Sequence, residues 1–79
     1  MELIAEILVF CKKERVKTSI MNKTSINYTR LKKYLNFLTV RGMLSNNMGR
    51  YSMTDKGRYF LELFVRLNEI LETEEVLFI

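Results

Sequence analysis

Five residues in one short run carry the chemistry this sequence offers: Thr29, Arg30, Lys32, Lys33 and Asn36. Hydroxyl, guanidinium, ammonium and carboxamide groups donate to phosphate oxygens, and Arg and Asn can each make paired bonds to a base edge. This is recognition chemistry, not bond-making. The chain has no histidine, which excludes His general bases, His-dependent triads and a His-based zinc site. Its single cysteine, Cys11, cannot form an intrachain disulfide and reads as a small core residue. The acids are scattered at caps and on the last helix instead of being paired in a cleft. Gly42, Gly49 and Gly57 have structural readings, and no glycine-rich phosphate loop is present. An enzyme is therefore not expected, and neither is a cofactor, a metal or a small-molecule substrate.

Those five residues need a helix to hold them on one side. The stretch Asn27–Gly42, NYTRLKKYLNFLTVRG, has a start, an apolar stripe and a stop. Asn27 suits the N-cap, because its side-chain oxygen can accept from a free amide in the first turn. Ile26 and Leu31 have the spacing of a hydrophobic staple. Leu31, Leu35 and Leu38 recur at i, i+4 and i+7, which marks one buried face. Gly42 follows Arg41 as a C′ glycine follows the last helical carbonyls. At ~100° per residue, Thr29, Lys33 and Asn36 project from the opposite side, with Arg30 and Lys32 flanking them. An apolar back and a Thr/Arg/Lys/Asn front suit a helix that enters a DNA major groove. Tyr34 reads as a packed aromatic at the core edge. Phe37 and Val40 fall nearer the outward face, where contact with the last helix, a partner chain or a base methyl all stay open.

A chain of 79 residues has room for one domain and one core. Its 48% hydrophobic content argues against disorder. A domain this small often needs reinforcement, and with disulfides and His-based metal sites excluded, oligomerisation is the route left. Charge is unevenly spread behind the net +4. Residues 11–58 hold 12 of the 13 Lys/Arg against only Glu14 and Asp55, while both ends are acidic. A basic middle between acidic ends suggests a polyanionic partner for the middle alone. No run approaches the ~18–20 apolar residues of a membrane span, and nothing resembles a signal peptide. A cytoplasmic protein is expected.

The remaining elements follow from local signals. Glu2–Lys13 reads as a first helix, with Leu3, Ile4, Ile7, Leu8 and Cys11 at helical spacing. A polar connector follows, in which Val16 offers a sheet pairing. Lys17–Lys23 reads as a short second helix capped by Thr18, with Ile20 and Met21 toward the core. After Gly42 the period changes to two, and Asn47–Gly49 supplies residues that tolerate positive φ, which predicts a hairpin with Arg50 at its tip. Thr54 caps a last helix running to about Glu75. Phe60, Leu63, Phe64, Leu67, Ile70 and Leu71 form its main stripe, and Leu61 and Val65 a second face. One small domain cannot cover that helix, so Phe60, Phe64, Leu67, Ile70 and Leu71 are expected in a homodimer interface. The apolar tail Val76–Ile79 supports the same expectation.

The order helix, short helix, basic helix, hairpin, long helix is that of a winged helix-turn-helix domain. The sequence resembles the small archaeal winged-helix DNA-binding proteins, a family that includes dimeric chromatin-associated members with a C-terminal coiled-coil helix. Lys17-Thr18-x-Ile20-Met21, Tyr28-x-x-Leu31-Lys32-Lys33-Tyr34-Leu35, Arg41-Gly42-Met43-Leu44 and Tyr51-x-Met53-Thr54-x-Lys56-Gly57 carry the resemblance. Thr24 and Asn22 depart from the small residue and the aromatic usual at those positions. The resemblance implies a mainly α fold with a small β-hairpin and a long C-terminal dimerisation helix. Residues 1–53 would form the helix-turn-helix and wing, and 54–79 the C-terminal helix and tail.

The same resemblance implies binding of double-stranded DNA by a homodimer, as a transcriptional regulator or a nucleoid-associated protein. The third helix would lie in the major groove, Arg30 on guanine and Asn36 on adenine. Tyr28, Thr29 and Lys33, with Thr18 and Arg50, would hold phosphates, and Lys32 would add charge. The alternative is a winged-helix module that binds protein partners without DNA.

Overall fold

Helical spacing of apolar residues on either side of one stretch of alternating period yields four helices and a small sheet. The computed structural model describes the backbone of residues 2–78 and the side chains of residues 2–72. In chain order the elements are α1 (Glu2–Phe10), β1 (Arg15–Val16), α2 (Lys17–Thr24), α3 (Tyr28–Val40), β2 (Leu44–Asn47), β3 (Arg50–Met53) and α4 (Asp55–Phe78). The three strands form one antiparallel sheet in the order β1-β3-β2. Arg15 lies opposite Tyr51 and Val16 opposite Arg50, while β2 and β3 pair from Leu44–Met53 to Asn47–Arg50. This is the mainly helical winged-helix architecture with a long last helix.

The core joins every helix to the sheet. Ile7 and Leu8 of α1, Ile20 of α2, Leu31, Leu35 and Leu38 of α3, and Leu44 of β2 are fully buried. Each such aliphatic side chain contributes about 1.5–3 kcal/mol relative to exposure. Tyr34 packs at the edge, as its position predicts. Cys11 is also fully buried, and burial pushes its thiol up to about 11, against a smaller opposing pull from the charge of Arg15. It is a protonated core residue at neutral pH.

Four local expectations change in the fold. α1 stops at Phe10, not Lys13, because the sheet claims the following carbonyls. Met53 N–H donates to the Cys11 carbonyl at 2.8 Å, and Arg15 Nε donates to the Phe10 carbonyl at 2.9 Å. Thr18 does not cap α2. The N-cap is Val16, without a side-chain bond, since β1 leads directly into the helix. In the hairpin turn the positive-φ residues are Met48 (φ 55°) and Gly49 (φ 86°), while Asn47 stays in the strand. Two consecutive positive φ values match the right-handed twist of the hairpin strands, and Asn46 Oδ1 accepts from Gly49 N–H at 2.9 Å.

The fourth change concerns the rotation of α4. Leu61, assigned to a secondary face by spacing, is buried, and Phe60 and Phe64 pack half-buried on the chain's own core. Gly57 sets this phase: a Cβ there would lie 2.3 Å from the Met43 carbonyl oxygen, so only glycine lets α4 come this close. Thr54 caps the helix as expected, accepting from Gly57 N–H at 3.0 Å. Leu63, Leu67, Ile70 and Leu71 remain exposed along α4. The tail residues Val76–Ile79, by their side chains, lie outside the described residues.

Candidate nucleic-acid interface

The basic helix is fixed at both ends. Asn27 Oδ1 accepts from Arg30 N–H at 2.9 Å, a cap whose removal typically costs about 1 kcal/mol. At the other end Gly42, with φ 77°, donates to the Thr39 carbonyl at 3.0 Å and Met43 donates to the Leu38 carbonyl at 2.9 Å. These two bonds are the reciprocal closure that a left-handed glycine permits. With Leu31, Leu35 and Leu38 locked into the core, the outer face has a set orientation.

That outer face is the expected one. Tyr28, Thr29, Arg30, Lys32, Lys33 and Asn36 are all exposed. Among the described residues, the side chains of Thr29, Arg30, Lys32, Lys33 and Asn36 make no hydrogen bond or ion pair. No acid occurs anywhere in α3. Donors held out by a rigid helix and not engaged by the protein can meet an anionic ligand without first breaking internal contacts.

Contacts between elements bring three separate segments onto one surface. Val16 pairs with Arg50, which ties the wing to the residue just before α2. Lys17, the first residue of α2, donates from Nζ to the Tyr28 hydroxyl at 3.3 Å and lies 5.1 Å from its ring centroid. Tyr28 is the first residue of α3. The wing tip, the start of α2 and the start of α3 therefore form a continuous chain of neighbours. Thr18, exposed in the first turn of α2, sits beside this chain.

Lys17 joins the candidate set, although spacing along the sequence did not single it out as a binding residue. Its place depends on the β1–β3 pairing, a long-range contact, and the only local signal was its position next to Thr18. Arg50 carries a complication. Its guanidinium lies 3.7 Å from Glu14 in a half-exposed ion pair, so an anion would compete with that carboxylate. Exposed pairs of this kind are worth at most about 1 kcal/mol, which a phosphate can replace. Asp55, the other acid of the basic middle, lies 3.9 Å from Arg58.

The second half of α3 has a different character. Phe37 is 41% and Val40 86% exposed, and the Arg41 guanidinium lies 4.4 Å over the Phe37 ring. Neither apolar residue belongs to the buried core cluster or to the half-buried residues packed against it.

The comparisons with known proteins agree with this architecture. A winged helix-turn-helix family model matches residues 1–72. An uncharacterized protein of Methanocaldococcus jannaschii is 30% identical over 74 residues, which cover 92% of this chain and 76% of that protein. The crystal structure of Sso10a-2, a DNA-binding protein from Sulfolobus solfataricus, superposes with a TM-score of 0.70 at 30% identity. That likeness covers 94% of this chain and 85% of the Sulfolobus chain. Among the described residues no helix is long and apolar enough to cross a membrane.

Proposed function

Because this chain belongs to the winged helix-turn-helix family, we propose that it binds double-stranded DNA as a homodimer. The first two turns of α3 enter the major groove and the wing lies along the backbone. The observation that carries this reading is the unbroken surface from Arg50 through Val16 and Lys17 to Tyr28 and the outer face of α3. The name of the Sulfolobus neighbour, a DNA-binding protein, points the same way. Arg30, near the helix start, reaches a guanine edge, and Asn36 reaches adenine farther along. Tyr28, Thr29, Lys32 and Lys33 hold phosphates on α3, with Lys17 and Thr18 at the start of α2 and Arg50 on the wing. The role is that of a transcriptional regulator or a small nucleoid-type protein in the cytoplasm.

Fluorescence anisotropy of a labelled duplex against the purified chain tests this reading, with protein excess showing no rise in anisotropy as the contrary result. The Glu14–Arg50 pair refines it. Glu14→Gln releases Arg50 and removes a carboxylate from the phosphate side, so affinity is expected to rise about two- to fivefold at low salt. Weaker binding by this variant would place the wing away from the backbone.

Homodimerisation runs through the exposed part of α4. Leu63, Leu67, Ile70 and Leu71 are about half exposed on one helix, an apolar surface that self-association removes from water. Leu67→Glu is expected to shift sedimentation from dimer to monomer while the far-ultraviolet circular dichroism stays that of a folded chain. A wild type that sediments as a monomer throughout the micromolar range would remove this part of the reading.

A further inference from the structure

The DNA reading uses the first two turns of α3 and Asn36, and leaves the end of the helix without a role. At ~100° per residue, Val40 falls between Lys33 and Asn36 on the helix surface, and with Thr29 the four share an arc of roughly 60°. That arc lies opposite Leu31, Leu35 and Leu38, which the core holds. Val40 is 86% exposed at the centre of this otherwise polar stripe. A valine scattered on a surface means nothing, but one in line with the groups that face a ligand is placed to touch it.

The surroundings of Val40 describe that ligand. An open groove of about 800 Å³ beside it has Phe37 and Met43 as its other apolar lining. Lys33, Arg41 and Lys56 are its charged members, and no acid lines it. Arg41 is held 4.4 Å over the Phe37 ring, where a cation gains from the ring face, so Phe37 has a place in orienting that guanidinium. Nothing around Val40 therefore opposes a polyanion, and Val40 itself offers only methyl groups. Duplex DNA presents the matching pair of features. Its backbone is anionic, and the C5 methyl of thymine is an apolar contact in the major groove.

We infer that Val40 is a specificity-determining residue that packs against a thymine methyl in the major groove. Four residues separate it from Asn36, about 6 Å along the helix, or nearly two base-pair steps of ~3.4 Å. The thymine thus lies one or two base pairs beyond the adenine that Asn36 meets. α3 then follows the groove along its whole length. The inference rests on the DNA reading above and deepens it by naming a base. Lys33 and Asn36 belong both to the base-facing stripe and to the groove lining, so DNA seated on one continues onto the other.

The test uses the full chain and a duplex that it selects from a random DNA pool. Replacing every thymine of that duplex by deoxyuridine keeps the base-pair hydrogen bonds and removes only the C5 methyl. The wild type is expected to bind the uracil duplex about four- to fifteenfold more weakly, the range for one buried methyl in one or in both halves of a dimer. Val40→Ala is expected to bind both duplexes equally, near the wild-type affinity for the uracil duplex. The position is exposed and alanine favours a helix more than valine, so this variant keeps its fold. A wild type indifferent to uracil, or a selected site without thymine, would overturn the inference and leave the polar contacts of α3 standing. A Val40→Ala chain that still loses affinity on the uracil duplex would assign the methyl contact elsewhere and overturn it too. A chain that binds no duplex even at low salt would overturn both this inference and the DNA reading beneath it.

Discussion

Arg30→Ala combined with Lys33→Ala is expected to weaken binding to a short DNA duplex by more than about tenfold while the domain stays folded. Both side chains are exposed on α3 and neither is engaged within the described residues, so their loss removes nothing from the core. Surface changes of this kind usually alter stability by less than about 0.5 kcal/mol. The cost on the DNA side is larger. A bidentate arginine–guanine contact is worth about 1–3 kcal/mol, a lost phosphate contact adds to it, and a homodimer loses both in each half. Anisotropy titration beside a thermal melt separates the two effects. Equal affinity of variant and wild type would remove α3 from the interface.

Gly57→Ala is expected to destabilise the fold by about 2–3 kcal/mol, the upper part of the usual ~1–3 kcal/mol for forcing extra volume into a packed site. For a domain of this size that corresponds to a melting temperature lowered by roughly 10–20 °C. The added methyl would meet the Met43 carbonyl oxygen at 2.3 Å and Met53 Cγ at 3.0 Å. Met53 could move, but the carbonyl could not move as easily. It accepts from Thr54 N–H at 3.1 Å, and Met43 N–H is itself bound to Leu38. Relief would require α4 to retreat, and Leu61 and Phe64 would retreat with it. Differential scanning calorimetry reads the shift directly; an unchanged melting temperature would contradict the close approach of α4 to the strand β2 entry.

The contrast between α3 and α4 shows how much of this could be read from the chain alone. Every determinant of α3 is local. Asn27 caps it, three leucines at 4 and 3 spacing bury it, Gly42 ends it, and the outward residues follow by rotation. Its exposed donors were legible for the same reason, as were the outward positions of Phe37 and Val40. The rotation of α4 was not, because two apolar faces run along it and spacing gives neither priority. A backbone contact between Gly57 and Met43, 14 residues apart, decides it. The end of α1 and the start of α2 changed for a related reason. Both flank β1, and the β1–β3 pairing captures carbonyls and backbone that local signals had assigned to helices. Lys17 entered the candidate surface through that same pairing, and the Glu14–Arg50 ion pair likewise joins residues far apart in sequence.

DNA binding by a basic α3 and wing has one signature that no protein–protein module reproduces easily, the release of condensed counterions. Lys17, Lys32, Lys33 and Arg50 from each half of the proposed dimer make about eight phosphate contacts, so log K is expected to fall with log salt at a slope of about −7. The measurement is an anisotropy titration of one duplex over roughly 50–300 mM salt. A steep linear fall is the predicted result. No binding at the lowest salt, or an affinity that does not change across the series, would contradict DNA recognition by this surface.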